Sequence, residues 1–144
     1  MQAGTHTFIY IHAIWCTSAR NKILTAIARK VLFPYIKQYA ANKGMQLIIV
    51  NGVEDHVHCL FKLMPTQTVA EVIKDTRMEM SNWLNDNKFL QQPVEWENDY
   101  SAYSVSPSTI DKAADYISRQ EEYHKTKSVD EELAAFNKMV TQIT

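Results

Sequence analysis

MQLIIVNGVEDHVHCLFKLM, residues 45–64, holds two apolar runs on either side of a turn signal. Residues 45–50 are apolar and partly β-branched, as a strand requires. Asn51-Gly52 follows, a dipeptide that favours a tight two-residue turn. Residues 55–64 form a second run, which Pro65 closes. The stretch therefore predicts a β-hairpin, and the rest of the chain is read outward from it.

Upstream, THTFIYIHAIWC (residues 5–16) is rich in β-branched and aromatic side chains and predicts a first strand. Residues 20–43 place Ile23, Leu24, Ile27, Val31, Ile36 and Tyr39 at helical spacing. Pro34 is expected to kink or divide that helix, and Gly44 to end it. Downstream, residues 69–84 predict a second helix with Val69, Val72, Ile73, Thr76, Met80 and Trp83 as its stripe. Residues 85–99 are polar and loop-like, and 100–106 fit a fourth strand. Ser108 with Asp111 resembles a capping box and opens a third helix that runs to about residue 125. Residues 129–142 predict a short last helix with Leu133, Phe136 and Val140 inward.

The order is β-α-β-β-α-β-α-α. This is an α+β chain with a ferredoxin-like, split βαβ antiparallel sheet and an added C-terminal helix that carries tyrosines. A single domain over residues 1–144 is expected: a core at about 5–106, the tyrosine helix at about 108–126 and the terminal helix at about 129–142. A fold of this kind proves no function by itself.

The 15 basic and 16 acidic residues leave a net charge of −1. That balance argues against a general polyanion binder, so any nucleic-acid contact has to use a local basic face. Cys16 and Cys59 form no CxxC pair, which leaves a zinc ribbon or redox motif unsupported. Both lie in apolar runs and are expected to be buried thiols in a reducing compartment. With no cleavable leader pattern and no apolar run of membrane-spanning length, a soluble cytoplasmic protein without membrane partners is expected.

His56 and His58 stand two apart, so on a strand their side chains share a face and can converge on one ion. Two ligands are too few for a tight site, so others must come from elsewhere. The plain alternative is two histidines on a half-exposed strand face. A cupin site needs a carboxylate ligand soon after the pair, and residues 60–65 contain none. His6 and His12 are read as structural.

The third helix reads DKAADYISRQEEYHKT, residues 111–126. Tyr116 and Gln120 are four apart and share a helical face, with Tyr123 and His124 one turn further. The alternative is a surface helix with tyrosines at its margin. A tyrosine hydroxyl, with a pKa near 10, is a poor nucleophile unaided and needs a base or a nearby metal. The histidine pair can hold such a metal, so the two features explain each other.

Together these residues resemble the single-tyrosine transposases of the HUH endonuclease superfamily, found in small bacterial insertion sequences and among repeat-associated relatives. NGVEDHVHCLFKL is similar to that family's metal strand, VIKDTRMEMSNWL to its second helix, and WENDYSAYSVSPSTIDKAADYISRQ to its C-terminal signature. The likeness spans roughly residues 5–125.

The resemblance implies His56, His58 and Gln120 as ligands of a divalent metal, Mg2+ or Mn2+, and Tyr116 as the nucleophile. It implies cleavage and rejoining of single-stranded DNA through a 5′-phosphotyrosine, beside a hairpin near a mobile-element end. It also implies a homodimer in which the tyrosine helix of one chain completes the histidine site of the other. Tyr123 is a rival nucleophile without a Gln four residues on, and His124 stands where it can approach the metal. Arg20, Lys22, Lys74, Arg77, Arg119, Lys125 and Lys127 are candidate phosphate contacts. Trp15, Tyr100 and Tyr103 are candidates for base stacking. Two other functions stay open: a non-catalytic binder of DNA hairpins, and a ferredoxin-like interaction domain with incidental histidines.

Overall fold

In the computed structural model, which describes residues 5–141, four strands and five helices follow one another. They are β1 (Ile9–Cys16), α1 (Ala26–Asn42), β2 (Gln46–Gly52), β3 (His56–Leu63), α2 (Val69–Asp86), β4 (Ser101–Val105), α3 (Ile110–Ser118), α4 (Gln120–Tyr123) and α5 (Val129–Thr141). The sheet order is β2-β3-β1-β4 and every neighbouring pair is antiparallel. That is the split βαβ arrangement expected from the element order.

The sheet is covered on both faces. Alternate residues Ile11, Ala13 and Trp15 of β1 and Val57, Cys59 and Phe61 of β3 join Leu32 and Ile36 of α1 and Ile73, Met80 and Leu84 of α2 in the main core. The intervening residues His12, Ile14, His56, His58 and Leu60 are also buried, outside that core. By strand alternation they face the other side, where α3 packs on β2 and β3. The histidine pair is thus on an enclosed surface, which removes the half-exposed alternative.

Several expectations need correction. Asn51-Gly52 is no turn: both residues are in β2, paired with His58 and Val57, and the chain reverses at residues 53–55. Gly52 is needed for a different reason, because a Cβ there would fall into the carbonyl oxygen of His56 and lie 3.0 Å from Val57 Cα. Residues 21–25 are not helical, and Arg20 ends a short 3-10 turn, Ser18–Arg20. Ala19 and Arg20 take positive φ (55° and 56°) and turn the chain, and α1 starts only after Thr25, whose hydroxyl accepts the Ala28 N–H. Pro34 lies inside α1 without dividing it. Gly44 does end that helix, at φ 73°.

The third helix opens through a 3-10 turn, Pro107–Thr109, with no side-chain cap on α3, so Ser108 and Asp111 form no capping box. It also breaks at Arg119 (φ −105°, ψ 27°) into α3 and α4. In α5 the expected inward Val140 is 46% exposed. The last helix was expected to reach residue 142, which lies outside the described residues.

Candidate metal and tyrosine site

The site forms where β3 meets the chain from α3 to α5. His56 and His58 are fully buried. On the same sheet face, His12 Nε2 is 2.7 Å from His58 Nδ1. These are diagonal neighbours, since His58 pairs with Ile14 in the register. His12, expected to be structural, therefore supports the ring of a candidate ligand.

The tyrosine helix is fixed to the sheet edge by Asn51, whose Nδ2 donates to the carbonyl oxygen of Ile117 at 2.8 Å. Ile117 itself is buried. This places Tyr116 with its ring centroid 6.1 Å from that of His58. The break at Arg119 then turns Gln120 inward, where it is fully buried. Gln120 Oε1 lies 3.2 Å from His56 Nε2 and 3.0 Å from His124 Nε2. Four residues foreseen from the sequence, His56, His58, Tyr116 and Gln120, are thus brought together within one chain.

Glu132 of α5 was not foreseen. It is fully buried. Its Oε1 lies 3.1 Å from Nε2 of His56, of His58 and of His124. Its Oε2 accepts hydrogen bonds from Gln120 Nε2 at 3.0 Å and from the Tyr116 hydroxyl. The sequence did carry a signal: Glu132 sits on the helical face of Val129, Leu133 and Phe136, where an apolar residue is the usual choice. The phase of α5 is set by Ser128 and Glu131, which exchange backbone and side-chain hydrogen bonds at 3.1 Å in a capping box.

Ring-nitrogen roles test whether these residues suit a metal. His56 Nδ1 donates to Asp55 Oδ1 at 2.7 Å, and His124 Nδ1 donates to the Lys127 carbonyl at 2.7 Å. In a neutral imidazole the second nitrogen is then an acceptor. Acceptor nitrogens therefore face acceptor oxygens across the site, and either protons or a cation must stand between them. Outer partners that hold the far nitrogen of a histidine are what metal ligands use to fix the ring and its tautomer. The donor atoms of His56, His58, His124 and Glu132 all lie within 4.8 Å of one another. The set fits a divalent ion.

The electrostatics agree. Burial opposes charge on His56, but the Asp55 and Glu132 carboxylates outweigh it and raise its pKa. Burial lowers the pKa of His58, and lowers that of His12 to about 3. Burial also opposes charge on Glu132, yet hydrogen bonds from His124, His56 and His58 hold it ionised far below the usual carboxylate range. Tyr116 is pushed well above its ordinary value, first by burial and then by Glu132.

The candidate DNA contacts are scattered. Arg20 is spent on Glu97 and Asp130, and Arg119 pairs with Asp115. Arg77 donates to the Glu97 carbonyl and lies over the Tyr100 ring. Lys74 is exposed on α2. Lys22, Lys125 and Lys127 do gather, lining a groove that also includes Asp55 and His124 at the rim of the site. Trp15 is buried in the core against Trp96, so it is not a stacking surface for bases. Tyr103 stacks on Phe136 instead. Tyr123 lies beside Tyr116, centroids 5.6 Å apart.

Comparison with known proteins fits this geometry. Residues 5–120 match the model of the family described as "Transposase IS200 like". The ISDra2 transposase TnpA of Deinococcus radiodurans is 25% identical over 114 residues, which cover 76% of this chain and 81% of that protein. Among solved structures, a candidate transposase of D. radiodurans R1 superposes with a TM-score of 0.65 at 22% identity, covering 83% of this chain and 96% of that one. A REP-associated tyrosine transposase bound to a REP hairpin gives a TM-score of 0.57 at 11% identity, covering 86% and 74%. No helix among the described residues is long and apolar enough to cross a membrane. With a family match over residues 5–120, this chain belongs to the IS200-like transposase family.

Proposed function

We propose that this transposase cleaves and rejoins single-stranded DNA with Tyr116 as nucleophile and a divalent metal held by His56, His58 and Gln120. The observation that carries the proposal is the position of the Tyr116 side chain, which reaches the buried histidine pair from the far end of the sequence and shares Glu132 with it. When bound, the metal supplies charge stabilisation to the phosphoryl oxygens.

The remaining chemistry belongs to the side chains. The Tyr116 oxygen forms a bond to the scissile phosphorus as the bond from phosphorus to the 3′-oxygen breaks. The tyrosine proton leaves and the 3′-oxygen gains one. The products are a 5′-phosphotyrosine and a free 3′-hydroxyl. Because the phosphotyrosine keeps the ester, attack by another 3′-hydroxyl reverses the step and joins strands without a nucleotide cofactor. In the resting site Tyr116 is protonated, and Glu132 Oε2 is the atom that accepts its hydrogen bond. His12 and Asp55 orient the two histidine rings.

The proposed substrate is single-stranded DNA next to a hairpin, a form suggested by the hairpin-bound structural relative. Lys22, Lys125 and Lys127 at the groove, with Arg77 and Lys74, are the proposed phosphate contacts. The chain would act with its DNA in the cytoplasm. A homodimer with exchanged tyrosine segments is part of the same proposal, since exchange of α3–α5 between two copies would rebuild the contacts seen within one.

Incubation with end-labelled single-stranded DNA and Mn2+ or Mg2+ is expected to give a covalent protein–DNA adduct. Tyr116→Phe should lose the adduct and Tyr123→Phe should keep it. Chelation of the metal should abolish it. Persistence of the adduct in Tyr116→Phe would show that another residue is the nucleophile.

A further inference from the structure

Glu132 and His124 stand outside the two-histidine-plus-glutamine set proposed above, yet they occupy the same space. His124 reaches it from the end of α4, with its Nδ1 tied to the Lys127 carbonyl. Glu132 reaches it from the first turns of α5, a segment set in place by the Ser128–Glu131 capping box and by the buried Val129. Glu132 is also the one carboxylate-bearing residue among the described residues that is fully buried.

Distances argue that this is a ligand shell. In a tetrahedral site with metal–nitrogen bonds of about 2.0–2.1 Å, neighbouring ligand atoms are about 3.3–3.4 Å apart. Glu132 Oε1 is 3.1 Å from each of three imidazole nitrogens. A carboxylate oxygen at that spacing from three converging nitrogens occupies a vertex of such a set. Its second oxygen is engaged separately by Gln120 and Tyr116. One carboxylate therefore links the ion's surroundings to the tyrosine hydroxyl.

We propose that His124 and Glu132 are further protein ligands of the metal, adding a third imidazole and a carboxylate to His56, His58 and Gln120, so that the centre is suited to a transition ion such as zinc or manganese rather than to magnesium. The inference rests on the metal site proposed above and sharpens which residues form it. Three nitrogen donors favour borderline transition ions, whereas magnesium prefers an all-oxygen shell. Gln120 stays in the set through Oε1, 3.2 Å from His56 Nε2 and 3.0 Å from His124 Nε2, while its Nε2 holds Glu132 Oε2 and keeps Glu132 Oε1 turned to the histidines.

The test is ion binding to the full chain, read by calorimetry with Zn2+, Mn2+ and Mg2+ and by the visible bands of Co2+, which gain intensity at low coordination number. Wild type should bind Zn2+ and Co2+ tightly, with intense cobalt bands, and Mg2+ far more weakly. Glu132→Gln and His124→Ala should each weaken Zn2+ and Co2+ binding by at least about tenfold and change the cobalt spectrum. His124 lies at the rim of the site, so its variant serves if Glu132→Gln fails to fold. Wild-type affinity and spectrum in both variants, with binding lost in His56→Ala, would overturn this inference and leave the smaller ligand set standing. Failure of the wild type to bind any of these ions would overturn both.

Discussion

At the residue scale, the site depends on which atoms cannot move. Gly52 pairs with Val57 at the start of β3, and a side chain there would meet the backbone of His56. Backbone does not yield as a flexible side chain does. Gly52→Ala should therefore destabilise the fold by about 1–3 kcal/mol, the usual cost of overpacking, and shift the His56 carbonyl together with its ring. Urea unfolding and zinc calorimetry on the variant check both effects, and metal affinity should fall even at temperatures where the variant is folded. The two cysteines give a pH test. Burial pushes the Cys16 thiol up to about 12 and raises that of Cys59 as well. An unfolded thiol ionises near 8.5. The folded state thus holds the protons more tightly, so its advantage is complete below about pH 8.5 and is lost as pH rises toward 12. Stability measured by urea melts should decline over that window, and neither thiol should react with a disulfide reagent at pH 8 until the chain is unfolded. His56 and His58 were legible because period-two spacing on a strand states a shared direction. Glu132 was much less so: helical spacing puts it on the inward face, but nothing local says what that face meets.

At the element scale, magnitudes decide what holds α5 over the site. Arg20 pairs with Asp130, but the Asp130 side chain is 74% exposed. Exposed pairs contribute about 0–1 kcal/mol. Val129, by contrast, is buried, and removing buried methyl groups costs on the order of 1–2 kcal/mol. Asp130→Ala should thus leave α5 in place, while Val129→Ala should loosen it. Hydrogen exchange of α5 amides distinguishes the two: little change in the first variant, clear acceleration in the second. The break at Arg119 belongs to this scale too. A continuous helix was expected over residues 108–126, because Tyr116, Gln120 and His124 keep four-residue spacing across it. No glycine or proline marks the interruption. It comes from tertiary packing: Gln120 has polar partners in His56 and Glu132, and the helix bends to meet them.

At the scale of the whole molecule, the sheet order followed from the alternation of strand and helix patterns, but its burial on both faces did not. One covered face was legible in the apolar stripe of α2, but in α1 only Ile36 of the expected stripe is buried in the helix: Ile27 and Val31 are 75% and 36% exposed, and Ala28, Leu32 and Ala40 face the core instead. The second face is covered by helices whose inward residues include Tyr116, Gln120 and Glu132, so hydrophobic pattern alone does not reveal it. The same layer raises the question of which chain supplies it. All the site residues meet within one chain here, joined to the sheet by the Asn51–Ile117 hydrogen bond, and an exchanged pair would keep every such contact. Mixing two inactive variants separates the cases. His56→Ala lacks the histidine half and Tyr116→Phe the nucleophile. If two copies exchange α3–α5, one of the two sites in a mixed dimer combines an intact histidine pair with an intact tyrosine, and adduct formation should return to a substantial fraction of the wild-type level. If each chain builds its own site, the mixture should stay as inactive as either variant. The label will be carried by the His56→Ala chain if activity returns, because only that chain keeps Tyr116. A size difference between the two chains makes this visible on a denaturing gel.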